Sequence, residues 1–83
     1  MLGINKNDNG YCIAYNEENL IDEDIAIHLN IGLKLYQKIL KKCGAEIYKH
    51  EFIYSDTDKK TVQDSYFNNY DECKNAVNYL NKL

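Results

Sequence analysis

No arginine, proline or tryptophan occurs in this chain, and no stretch approaches the run of about 18 apolar residues that a membrane span requires. The missing arginine removes the bidentate grip on guanine that is the commonest specific contact to duplex DNA. The glycines Gly3, Gly10, Gly32 and Gly44 are scattered, which leaves no glycine-rich loop to cradle a phosphate. Cys12, Cys43 and Cys73 form no CxxC pair and are odd in number, so a disulfide framework is not expected. Their spacing with His28 and His50 matches no zinc pattern, and neither a metal nor any other cofactor is expected. The start, MLGINKNDNG, lacks the basic opening and apolar centre of a secretory signal. The expected location is therefore cytoplasmic, without a membrane partner.

Tyrosine, asparagine and lysine take the place of what is missing. Eight Tyr supply an unusual share of the apolar surface, and a ring with a polar tip suits half-buried sheet faces and interfaces better than a dry core. All ten basic residues are Lys, against thirteen acidic ones, and the net charge of −3 gives no global attraction to nucleic acid or an anionic membrane. The 83 residues form one domain, 1–83, because either half alone would hide too little apolar surface. A chain of this size buries only about two thirds of the surface that its unfolded form exposes, so a homodimer is a natural way to gain stability.

The pattern then reads in order. LGINKNDNGYCIAY is a β-hairpin with its turn at Asn9–Gly10, the pair that most readily takes positive φ angles. Asp22 is a plausible N-cap, and helical periodicity runs from there to Cys43, with Gly44 as a C-cap candidate. From Glu46 the period changes to two, so EIYKHEFIY and TVQDSYF form a second hairpin around SDTDKK. One strand face carries Tyr48, His50, Phe52 and Tyr54, which we expect to pack beneath the final helix rather than to stack nucleic-acid bases. That helix follows Asn69 and Glu72, spaced as in a capping box, and buries Cys73, Ala76, Val77 and Leu80. The fold class is α+β: an N-terminal β-hairpin, a helix pair, a second β-hairpin and a C-terminal helix.

The helix pair follows from a conflict. A single helix over Asp22–Cys43 would be apolar all round, which so small a domain cannot bury. A break at Asn30–Gly32 resolves it: Ile25, Ala26 and Leu29 are buried by the first helix, Ile31 plugs the turn, and Tyr36, Ile39, Leu40 and Cys43 are buried by the second. DEDIAIHLNIGLKLYQKILK then resembles the two-helix core of a helix-turn-helix, with small Ala26 at the crossing and Asn30 where Gly is usual. The resemblance implies that Leu33, Lys34, Gln37, Lys38 and Lys41 face solvent, with Lys34, Gln37, Lys38 and Lys41 toward a major groove and the following strands as a wing.

Residues 32 to 43 carry +4, so the remainder carries −7. The basic segment suits phosphate contact, whereas the rest of the chain would be repelled by a duplex, and the helix that normally precedes the pair is replaced by a hairpin. Leu33 and Leu35, beside the lysines, are wasted in a groove but useful against a protein. No paired carboxylates or nucleophile-and-base spacing appear, and no enzyme activity is expected. The Asn- and Lys-rich usage without Arg points to AT-rich coding DNA, and the overall composition resembles that of small phage and mobile-element proteins, anti-CRISPR and other anti-defence inhibitors among them. The expected role is a small non-enzymatic inhibitor or modulator of a host protein or nucleoprotein complex, contacting it through Leu33, Lys34, Leu35, Gln37, Lys38 and Lys41. The alternative is a helix-turn-helix transcriptional regulator on duplex DNA.

Overall fold

The computed structural model describes residues 1–53 and 55–83, with Phe52 described in its backbone only. The elements run β1 Leu2–Asn7, β2 Gly10–Tyr15, α1 Asp22–His28, α2 Leu33–Lys42, β3 Glu46–Ile53, β4 Lys59–Tyr66 and α3 Tyr70–Asn81. This is the α+β order that the sequence predicts. β1–β2 and β3–β4 are separate antiparallel hairpins. β2 also packs against β4, and among the described residues one backbone bridge ties the two hairpins together, where Tyr11 and Phe67 exchange hydrogen bonds of 2.8 and 2.7 Å.

That meeting point corrects the expected turn. The register pairs Asn7 with Gly10, so the connection is Asp8–Asn9, with the Asn7 side chain accepting from Asn9 N–H at 2.9 Å. Gly10 instead opens β2 at φ +133°, where an added Cβ would lie 2.5 Å from the Phe67 carbonyl oxygen. Glycine is needed at this position for close approach of backbone to backbone, not for the turn. A second tight turn follows β2: Tyr15 and Glu18 exchange backbone bonds of 3.0 Å around Asn16 and Glu17, at φ +49° and +70°. Two successive positive φ angles are the signature of a primed turn, which matches strand twist but suits Glu poorly.

The helix breaks where the apolar pattern requires. Asn30 sits at φ +58°; its N–H reaches Ile27 O, and Ile31 N–H reaches Ala26 O, both at 3.0 Å. This pair of bonds is a Schellman closure, which satisfies carbonyls that a helix end would otherwise leave open. α2 ends in the same way: Gly44 at φ +111° bonds Lys41 O, and Ala45 bonds Leu40 O. Any side chain at Gly44 would also run into the Glu72 carboxylate. At the start of α3, Asn69 Oδ1 accepts from Asp71 and Glu72 N–H at 2.8 and 3.4 Å, the forward half of the expected capping box.

The core is built from Leu2, Ile13, Ile25, Ala26, Tyr36, Leu40 and Phe67 together with the α3 stripe Cys73, Ala76, Val77 and Leu80. Leu29, Ile31, Ile39 and Cys43 pack against it, half-buried. α3 lies on β1 and β2. It does not cover the second hairpin, so the expected burial of the Tyr48 face is corrected: Tyr48 and His50 are exposed, while the Phe52 side chain and Tyr54 lie outside the described residues. The cause is local. Phe67 is pinned to Tyr11, and the chain enters α3 three residues later, already over the first hairpin.

Three outcomes follow for stability. Asn30→Val should cost about 1–2 kcal/mol, the penalty of a branched residue in the left-handed region, while Asn30→Gly should stay within a few tenths. Glu17→Gly should stabilise by about 0.5–1 kcal/mol. Urea unfolding midpoints of the purified variants measure all three.

Candidate interaction surface

α2 turns 100° per residue, which lays its ten residues out as three strips. Tyr36 and Leu40 point into the core, with Leu33 and Gln37 half-buried on one flank and Ile39, continued by the C-cap residue Cys43, on the other. Opposite them Lys34, Lys38, Lys41 and Lys42 stand together in solvent. Among the described residues no carboxylate lies within ion-pairing distance of any of the four. The close contacts that do form among the described residues, a His50–Asp64 hydrogen bond of 2.6 Å and a Lys60–Glu23 ion pair of 3.3 Å, involve other elements.

The predicted contact residues thus divide. Lys34, Lys38 and Lys41 share one exposed face, and Leu35, 51% exposed, borders it. Leu33 is half-buried. Gln37 lies at the edge of the basic face, but its amide nitrogen turns inward, donating to Asp22 Oδ2 at 3.1 Å and to Gln63 Oε1 at 2.9 Å. Both donor hydrogens of that amide are therefore engaged within the fold.

Gln37 belongs to a buried polar cluster that the sequence did not reveal. Asp22, expected as the N-cap, is the first residue inside α1, and Ile21 occupies the cap without a side-chain bond. The Asp22 carboxylate is buried at 3% exposure and accepts from Ser65 Oγ at 2.5 Å, from Ser65 N–H at 3.1 Å and from Gln37. Loss of hydration outweighs these bonds and raises its pKa above the ordinary carboxylate value. The cluster borders a cavity of about 70 Å³ lined by Cys12, Asn19, Asp64 and Tyr36, whose buried hydroxyl has no partner among the described residues. A capping-type Asp fifteen residues before a Gln carries no local signal that the two will meet.

A missed surface residue is Tyr79 of α3, 53% exposed. It joins Leu35, Ile39 and Cys43 around a groove of about 340 Å³ between α2 and α3, with Lys38 and Lys42 on the rim. Tyr79 falls outside the buried stripe of α3, so its helix alone marks it only as solvent-facing. His28 is exposed and stacks on Tyr15, ring centroids 4.3 Å apart. Burial raises the thiol pKa of Cys12, with the Asp64 charge adding to it, and pushes that of Cys73 up to about 12. Both are therefore poor nucleophiles at neutral pH. Among the described residues no group of three or more His, Cys, Asp or Glu could hold a metal ion.

No family model, curated protein or solved structure matches the chain. No helix among the described residues is long and apolar enough to cross a membrane.

The Asp22 cluster makes a signed prediction. A carboxyl whose pKa is raised by folding binds its proton more tightly in the native state, so its contribution to stability is fully present below about pH 3.8 and lost as pH rises through the higher native value. Asp22→Asn removes that titration. Urea midpoints measured across the acid range should show the wild-type advantage over Asp22→Asn shrinking as pH rises from 3.8.

Proposed function

We propose that this protein is a non-catalytic binding protein that acts by occupying a surface of a larger protein or nucleoprotein complex, with the exposed side of α2 as its contact. The observation that carries this reading is the pairing on α2 of four lysines, without carboxylate partners among the described residues, and an exposed Leu35 that continues into half-buried Ile39 and Cys43. Charged and apolar groups arranged side by side, with the charges unanswered inside the fold, are what a complementary protein surface would use. The compositional likeness to phage and mobile-element inhibitors makes a host complex the natural target, and the role one of inhibition or modulation.

The second reading is a helix-turn-helix regulator on duplex DNA. It is favoured by the Schellman-closed corner at Asn30 and by the same lysines, which could release counterions from phosphates. Against it, Gln37 has its donors engaged inside the fold, and Leu33 and Leu35 occupy the first turn of α2, where a recognition helix reads bases.

A gel shift on mixed duplex DNA at low salt, with a salt titration, separates the two. The expected outcome is no specific shift, together with a partner that the tagged protein recovers from a host lysate and loses when Lys34, Lys38 and Lys41 are changed to Glu. A shift whose log–log salt slope approaches about −3 to −4, as four lysine–phosphate contacts require, and which the same substitutions abolish, would move the assignment to the regulator.

A further inference from the structure

Leu35 and Ile39 of α2 and its C-cap residue Cys43 recur every fourth residue, so they form one straight ridge of about 12 Å, two helical turns. Tyr79 supplies the facing wall, and α2 and α3 touch only lightly, which leaves the space between them open as the groove. Lys38 and Lys42 follow the same four-residue spacing, displaced toward the basic face, and so rim the groove along its length.

We propose that this groove seats an acidic amphipathic helix of a partner protein. The proposal rests on the reading of α2 as a protein contact and names the chemistry of what it contacts. An apolar ridge of four-residue period accepts side chains spaced i, i+4 and i+7 from a second helix, by the packing of ridges into grooves. Carboxylates flanking those side chains would meet Lys38 and Lys42, and further ones would reach Lys34 and Lys41, none of which is neutralised by the described residues of the fold. The charge excludes a basic helix, and the apolar floor gives a phosphate backbone nothing to bind.

A second copy is the poorer occupant. The chain's own acidic and apolar helix face, Glu23, Asp24 and exposed Ile27 on α1, belongs to a seven-residue helix, and Glu23 already pairs with Lys60. Docking of that face into the groove of another copy would join two different surfaces head to tail, an arrangement that closes only for particular rotations.

Fluorescence anisotropy with a labelled three-turn helical peptide tests the proposal, with Leu at i, i+4 and i+7 and Glu at the flanking positions. The controls are a scrambled peptide of the same composition and a peptide with Lys in place of Glu. Binding is expected for the patterned acidic peptide alone, and it should weaken by about tenfold or more in Lys38→Glu/Lys42→Glu and in Leu35→Asp/Tyr79→Ala. These side chains are exposed or at the rim, and circular dichroism verifies folding. Equal binding of the scrambled peptide, or loss only in the lysine variant, would reduce the site to diffuse charge and overturn the groove. Failure of the peptide to bind also overturns it, while a lysate partner still lost on Lys34, Lys38 and Lys41→Glu would leave the broader protein-contact reading standing. A dimer in sedimentation that Leu35→Asp dissolves would assign the groove to a second copy instead.

Discussion

Two backbone hydrogen bonds between Tyr11 and Phe67 hold together two hairpins that could not persist alone, since a single two-stranded hairpin is at best marginal in water. The bridge does more than join them. It brings the fully buried Phe67 ring into the same core as Tyr36, Ile25, Leu40 and Cys73, so the first hairpin, both central helices and the last helix bury their apolar faces against one another. It also requires Gly10 to have no side chain, because the Phe67 carbonyl occupies that space. The direction in which α3 leaves is set by the same contact, and the outward exposure of Tyr48 and His50 follows from it.

The buried Asp22 carboxylate is a second tie, and it acts on the candidate surface from behind. Through Ser65 it fixes α1 to β4, and through Gln37 it fixes α2 to both. Desolvating a carboxylate is costly, and it persists here because three donors converge on it. The network draws the Gln37 amide inward, leaving the outer face of α2 to lysines and Leu35. The composition of that face is thus in part a consequence of what the interior consumes.

Much of the fold was legible because its signals are local. The apolar pattern on all sides of Asp22–Cys43 demanded a break, and Asn30 adopts the left-handed backbone that makes it. Asn69 could be recognised as a cap, and the change of period at Glu46 announced a strand. The turn lies at Asp8–Asn9, one residue before the strong Asn9–Gly10 turn signal, because Gly10 serves a contact more than fifty positions away. Asp22 behaves in the same way: its place before an apolar run is that of a cap, and nothing nearby announces its bond to Ser65. At the surface, Lys34, Lys38, Lys41 and Leu35 were legible from helical spacing, whereas Gln37 and Tyr79 depended on neighbours brought from other elements.

The sequence by itself determined which segments are helix and which are strand, where the helix pair bends, and that one helix carries the basic charge of an otherwise acidic chain. These follow from side-chain periodicity and backbone preference over a few residues. Only the tertiary structure decided which hairpin α3 covers, that Asp22 and Gln37 are spent inside, and that Leu35 and Tyr79 face each other across a groove. Those outcomes depend on contacts between residues far apart in the chain, and a local pattern records that a face is apolar or polar but not which face it will meet.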